Sequence, residues 1–323
     1  MFSVAIDKMS SLNRDEFGPT AIINKANSTA SGILVFHAGL NVFLSITAAL
    51  GNLLIIVALP RVSSVHPPTK LLYRCLAITD LLVGLILNPL HTIPIVAYLT
   101  EVNWKLVLYA RTIAFVFSFV LCGVSIFVST AISVDRLLAF LLGFRYRRLV
   151  TLWRVRAVVV VFFSLGVSVG LCFLFWNRRI ALIISLGLVL ISVIISILSY
   201  SKIFFGLRQY RVRIQDLINA EQPRERRAPL NISLYKKTVS SIICVQLALV
   251  ACYVPFVICV VTIRIKRWSG MYAHMVWLFS GTLVYLNSSL NPILYCWKLK
   301  GVRQAVKTTI RRFRWHWSTQ NII

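Results

Sequence analysis

A chain of 323 residues with 58% hydrophobic and only 14% charged side chains is far from the balance of soluble domains, in which about 25% are charged. That excludes an ordinary water-soluble protein and points to an integral membrane protein. The formal charge of +26 could suggest nucleic acid, but the bases sit in short segments flanking greasy runs. Anionic inner-leaflet lipid and a cytoplasmic partner are expected instead, and no nucleic acid.

The opening "MFSVAIDKMSSLNRDEFG" has no apolar core of signal-peptide type, so no removable leader is expected. Asn27, in "NSTA", heads the only sequon expected outside the membrane. Near-uncharged runs follow over Ile33 to Pro60, Cys75 to Leu99, Leu106 to Val134, Ala157 to Trp176, Ile180 to Phe204, Val239 to Ile263 and Tyr272 to Trp297. Each has about the 20 residues that a helix needs to cross a hydrocarbon core. Barrel strands would alternate apolar and polar residues, and these runs do not. Seven spans are expected. With the N-terminus outside, 25 of the 35 lysines and arginines fall in the inner segments, as the positive-inside bias requires.

All seven cysteines lie in or at the edge of the apolar runs, and no metal-type Cys/His spacing occurs. The five histidines are scattered among segments on both sides. No HExxH motif is present, so an enzyme is not expected. The competing class is a seven-helix transporter or channel, but no internal repeat or second intramembrane charge supports it.

Asp80, in "LAITDLLVG", is the charged side chain in the middle of a run. An intramembrane acid is costly, so it calls for partners and a function. Asn52, Ser125, Ser288 and Asn291 are the candidates for one polar cluster. Further along, "STAISVDRLLAF" ends an apolar run on an adjacent acid and base, Asp135 and Arg136.

In order, "GN" with Asn52, "LAITD" with Asp80, "DRL" at Asp135 to Leu137, Trp153 in the fourth span, "CYVP" with Pro255 and "NPILY" at Asn291 to Tyr295 resemble the landmarks of the rhodopsin-like G-protein-coupled receptors. The resemblance covers about Leu40 to Phe313. It implies an all-α fold: a seven-transmembrane helix bundle with a short amphipathic eighth helix. The implied divisions are an outer tail at 1–32, the receptor domain at 33–297, and a cytoplasmic helix with a short tail at 298–323.

The resemblance implies that Arg136 is held by Asp135 at rest and meets a heterotrimeric G protein when the sixth helix swings out. Phe144 matches an apolar G-protein contact on the second inner loop. Tyr200 and Tyr295 match two tyrosines that meet through water once the bundle opens. Pro255 and Pro292 are plausible hinges. Asp80, Ser125, Asn287, Ser288 and Asn291 match the family's sodium pocket, so Na+ is expected as an allosteric ion. Leu299, Val302, Val306, Ile310 and Phe313 recur every three or four residues among bases, the pattern of a helix lying on membrane lipid.

The chain also departs from the pattern. The third-helix cysteine of the usual outer disulfide is replaced by Arg111, and the second outer loop shrinks to about Asn177 to Arg179. Ser192 stands where the fifth helix usually carries proline. These losses resemble the melanocortin, cannabinoid, lysophospholipid and adenosine receptor branch. Ser118 replaces the aspartate of amine receptors, and Tyr285 the retinal lysine. Arg111, Ser118 and Tyr285 are therefore the candidate ligand-binding residues. Lys105, Arg111, Arg178, Arg179, Arg264, Lys266 and Arg267 should form a basic outer rim suited to an anionic or lipid-like ligand, with Arg111 opening the third helix. Tyr253 replaces the usual tryptophan before Pro255. Tyr235 stands where an acid often latches the arginine, with Lys236 and Lys237 beside it, so raised basal signalling is expected.

Overall fold

A computed structural model describes residues 28–63, 65–99, 104–220, 232–266, 270–298 and 300–320. These residues form seven long helices and a terminal one, with no strand among the described residues. The first span is Ser28–Ala58, and the second runs from Pro67–Leu82 through a π-turn, Val83–Leu87, into Asn88–Leu99. The third is Trp104–Leu142 and the fourth Leu152–Leu171, extended by a π-turn at Cys172–Trp176. Arg178–Ala220, Ile232–Lys266 and Met271–Lys298 are the fifth to seventh, followed by Lys300–Gln320.

Several helices outrun their apolar stretches, because a helix satisfies its own backbone on either side of the lipid boundary. Six of the helices among the described residues are long and apolar enough to cross a membrane on composition alone. The seventh helix is more polar, since its inner half carries Asn287, Ser288, Ser289 and Asn291, all buried against the bundle. The pattern is that of a multi-pass membrane protein, with Phe36, Phe43, Leu50, Ile183 and Leu198 exposed on the outside where lipid replaces water.

Lipid is as apolar as leucine, so helix pairing depends on close packing and polar contacts. Glycines mark the tightest approaches. A Cβ added at Gly51 would lie 3.0 Å from Pro292 Cγ, and one at Gly84 would lie 2.9 Å from the Ala49 nitrogen and the Ser45 carbonyl. At Gly166 it would meet Val120 Cα at 3.1 Å, which fixes the fourth helix against the third.

At the π-turn the Asn88 amide donates to the Val83 carbonyl, five residues back, and Pro89, which follows, has no N–H to donate. Ser45 Oγ of the first helix donates to the Gly84 carbonyl at 2.6 Å.

Asn177 alone separates the fourth and fifth helices, shorter than the expected three-residue loop. Its Oδ1 accepts from the Arg179 amide at 2.9 Å and the Ile180 amide at 3.3 Å, capping the new helix. With Ser192 in place of proline, the fifth helix runs unbroken. Thr130 Oγ1 on the third helix donates to the Ser192 carbonyl at 3.3 Å.

Trp153 lies in the fourth helix as expected, as its second residue and 77% exposed, an interfacial position suited to an amphipathic ring. On the terminal helix, the face that packs inward is Val302, Ala305, Val306 and Thr309, whereas Ile310 is 45% exposed. Arg61, at the end of the first span, donates to Thr309 Oγ1 and ties this helix to the bundle, which rotates the stripe by part of a turn. Leu299 and Phe313 lie outside the described side chains, as do Tyr235, Lys236 and Lys237. Asn27, Glu101 and Arg267 lie outside the described residues.

Candidate functional site

The functional residues form three levels along the bundle axis. The outermost is a cavity of about 720 Å³ between the upper parts of the second, third, fifth, sixth and seventh helices. Its walls are mainly apolar, among them Phe115, Phe119, Val189 and Phe256, and no Asp or Glu lines it among the described residues. Ser118 and Tyr285 face each other across it with their hydroxyls 3.2 Å apart, so these two candidates are brought together.

Arg111 also lines the cavity, but it does not open the third helix: that helix begins at Trp104, two turns earlier. Its Cζ lies 6.0 Å from the Phe115 ring centre and 5.9 Å from that of Trp277. Among the described residues, Lys105, Arg178, Arg179, Arg264 and Lys266 of the expected basic rim are not part of the cavity wall. Arg178 Cζ lies 5.3 Å from the ring centre of Phe173, and Lys105 is exposed.

The histidines are not scattered as expected, because the helices fold three of them into one place. His37 and His91 meet in a T-shaped arrangement with ring centres 6.1 Å apart. His91 also meets Trp277 at 6.0 Å and Tyr285 at 5.3 Å, while His274 stacks on Trp277 at 5.9 Å. Beneath them, His37 Nε2 lies 2.8 Å from Thr282 Oγ1, and Asn41 Nδ2 donates to the His37 carbonyl at 2.9 Å. Single histidines on three separate spans give no local spacing signal, so the sequence could not show this cluster. Tyr253 is buried at the base of the cavity and packs with Phe127 and Leu249.

The middle level is the Asp80 cluster. Asp80 is fully buried, and its carboxylate accepts from Ser125 Oγ at 2.9 Å, Ser288 Oγ at 2.8 Å and Asn291 Nδ2 at 2.7 Å. The third and seventh helices thus supply three donors to one acid, as a buried charge requires. Asn52 joins through the backbone, donating to the Ala48 and Ser288 carbonyls, both at 2.9 Å. Asn287 is buried beside these residues but donates to none of them. Its Nδ2 and Asn52 Oδ1 are buried without a hydrogen-bond partner.

The innermost level holds the acid–base pair of the third helix. Arg136 Nη2 lies 3.3 Å from Asp135 Oδ2. Asp135 is buried and also accepts from Thr69 Oγ1 at 2.9 Å and Tyr146 Oη at 2.5 Å. Neither donor was expected, because each enters from a different segment and only packing unites them. A third unexpected partner is Tyr73: Arg136 Cζ lies 5.9 Å from its ring centre, and Tyr295 meets the same ring edge-on at 4.8 Å. Tyr200 is buried in a different cluster, with Ile203 and Leu137. Phe144 is fully exposed on the turn Gly143–Arg145. That turn is possible because Gly143 adopts φ +48°. Pro255 and Pro292 lie inside the sixth and seventh helices. All seven cysteines are free thiols.

Comparison with known proteins agrees with this arrangement. The family model for the 7 transmembrane receptor (rhodopsin family) matches residues 51–179. The adenosine receptor A2b of Mus musculus is 32% identical over 144 residues, which is 44% of this chain and 42% of that receptor. The chain therefore matches about two-fifths of the length of the adenosine receptors. Longer alignments reach the trace amine-associated receptor 13c of Danio rerio, 26% identical over 275 residues with 76% and 77% coverage. Trace amine-associated receptor 5 of Mus musculus is 26% identical over 297 residues, with 81% of each chain covered. With the ordered landmarks and the helical architecture, these matches support a rhodopsin-like seven-transmembrane receptor.

Proposed function

We propose that this protein is a plasma-membrane receptor, N-terminus outside and C-terminus in the cytoplasm, that passes occupancy of its outer cavity to a heterotrimeric G protein. The observation that carries this reading is the inner latch. Arg136 is held by Asp135 at 3.3 Å and by the Tyr73 ring, and the same ring touches Tyr295 of "NPILY". A movement of the seventh helix would thus be felt at Arg136. Phe144, exposed beside the latch, supplies an apolar anchor for the partner. The matching family is one of receptors, so no reaction is assigned to the chain, and a transporter or channel is not favoured.

Two further proposals concern the environment. The Asp80 cluster is a candidate sodium site: Asp80, Ser125, Ser288 and the side-chain oxygens of Asn287 and Asn291 offer oxygen ligands, which suit a hard cation. Asn52 Oδ1, in the same polar core, is a buried acceptor without a hydrogen-bond partner. Bound Na+ would supply a charge that favours the closed arrangement. The terminal helix, basic on its exposed face, is suited to anionic inner-leaflet lipid.

The experiment is guanine-nucleotide exchange on added G proteins, with the full chain in lipid nanodiscs and Arg136→Ala as the paired variant. Basal exchange that the substitution abolishes supports coupling. Exchange that is equal to empty nanodiscs for every G-protein family, together with ion flux in liposomes, would overturn it.

A further inference from the structure

We propose that the outer cavity takes an uncharged lipophile with one hydroxyl, which enters from the bilayer beside the fourth and fifth helices and sets that hydroxyl against Ser118 and Tyr285. The inference rests on the receptor reading above and names the ligand's chemical class.

The lining is the first argument. On the third, fourth and fifth helices the cavity is walled by Phe119, Gly123, Phe127, Leu165, Val169 and Val189. Ser185, which also lies on this flank, donates to the Leu182 carbonyl of its own helix at 2.9 Å. No Asp or Glu lines the cavity among the described residues, so a ligand ammonium buried there would lack a counter-charge. Arg111 already lies against the Phe115 and Trp277 rings, so an anionic head would have to compete with neighbouring side chains for it. An uncharged body strands no charge in this lining.

Open space is the second argument. A Cβ added at Gly123 would have nothing within 4 Å, and one at Gly281 on the seventh helix would meet only His91 Nε2, at 3.7 Å. Both glycines line the cavity. Unlike Gly84 and Gly166, they close no helix contact and leave room instead. The volume of about 720 Å³ falls within the range of small-ligand pockets, about 300–1,000 Å³.

The hydroxyl pair is the third argument. Ser118 Oγ and Tyr285 Oη lie 3.2 Å apart. A hydroxyl donates once and accepts twice, so their one mutual bond leaves a donor and acceptors for a ligand hydroxyl. A few placed polar groups in an apolar wall set orientation in such pockets.

Access is the fourth. Leu165 lines the cavity and is itself 39% exposed. Val161 and Ser168, on the same face of the fourth helix, are exposed as well. That face meets lipid, so the bilayer lies one side chain away from the cavity.

The test uses four probes with one body: pyrenebutanol, butylpyrene, pyrenebutanoate and pyrenebutylamine. Saturable binding to the full chain in phosphatidylcholine nanodiscs is read as energy transfer from tryptophan to pyrene, with empty nanodiscs as the partition blank. The native protein should bind pyrenebutanol at least about tenfold more tightly than the acid or the amine, and about 2- to 10-fold more tightly than butylpyrene. Ser118→Ala combined with Tyr285→Phe should bring the alcohol to the level of butylpyrene, which still binds. Gly123→Leu should abolish the binding of both neutral probes by filling the space. Should that variant fail to fold, Gly123→Ala should weaken binding while its thermal midpoint stays at or above native. Displacement of pyrenebutanol by cholesterol or by oleyl alcohol tells a fused-ring source from a single-chain one, and at least one should displace it. The proposal is overturned if the acid or the amine binds as well as the alcohol, or if no saturable binding exceeds the blank. It is also overturned if the glycine variants bind as native, if the double variant keeps the preference for the alcohol, or if neither lipid displaces the probe. Failure of the receptor reading is seen separately, in the Arg136→Ala exchange assay, which uses no probe.

Discussion

The ring of Tyr73 on the second helix lies under the guanidinium of Arg136, 5.9 Å from its Cζ. The opposite partner of that ring is Tyr295, at 4.8 Å, so one phenol bridges the third-helix latch and the seventh helix. A cation–π contact of this kind contributes about 0.5–2 kcal/mol. Tyr73→Leu should therefore raise basal nucleotide exchange by roughly 2- to 30-fold, whereas Tyr73→Phe, which keeps the ring and loses the hydroxyl, should raise it by less. Equal exchange by Tyr73→Leu and native protein at matched amounts would show that the ring does not restrain Arg136.

Asp135 is held by two further donors, Thr69 and Tyr146. Hydrogen bonds to a charged, buried acceptor contribute about 1.5–3 kcal/mol. Tyr146→Phe removes one and leaves the packing in place, so it should lower the thermal midpoint of the purified receptor. Thr69→Val in the same background should lower it again, by less than the sum of the single effects, because both donors serve one carboxylate. Midpoints unchanged by either substitution would contradict this.

Replacing NaCl by choline chloride should lower the thermal midpoint of the native chain if Asp80 holds sodium with its partner oxygens. Asp80→Asn removes the charge and should abolish the difference between the two salts. A salt effect that persists in Asp80→Asn would place the ion elsewhere, and no effect in the native protein would remove sodium from the account.

Helix packing can be tested at two glycines. At Gly84 a methyl would press on first-helix backbone at 2.9 Å, while at Gly187 nothing lies within 4 Å. Backbone cannot yield as a side chain can, so Gly84→Ala should cost about 1–3 kcal/mol. Gly187→Ala should be neutral or gain up to about 1 kcal/mol from helix propensity. Equal thermal midpoints for the two variants would mean that the first and second helices are less tightly joined than their geometry indicates.

Basal exchange by the native chain is expected to exceed that of empty nanodiscs, because Tyr235 stands where an acid would latch Arg136 and Lys236 and Lys237 follow it. Exchange at the blank level would show that Asp135, Tyr73 and their partners suffice to keep the receptor quiet.

The sequence by itself determined the membrane class, the helical architecture and the partners of Asp80. Uninterrupted apolar runs can satisfy their backbone in lipid only as helices, and a lone buried acid must find donors: of the four candidates Asn52, Ser125, Ser288 and Asn291, the last three bond Asp80, while Asn52 donates to backbone carbonyls instead. Motif order supplied the Asp135–Arg136 pair. Only the tertiary structure decided which residues from distant segments meet: Tyr73 and Tyr146 at the latch, His37, His91 and His274 around Trp277, and the exclusion of most outer bases from the cavity wall. It also turned Ile310 outward. Helical periodicity says which residues share a face, but the rotation of each helix is set by its closest approach to its neighbours, at Gly51, Gly84 and Gly166. Those few contacts act between residues far apart in the chain, so no local pattern records them.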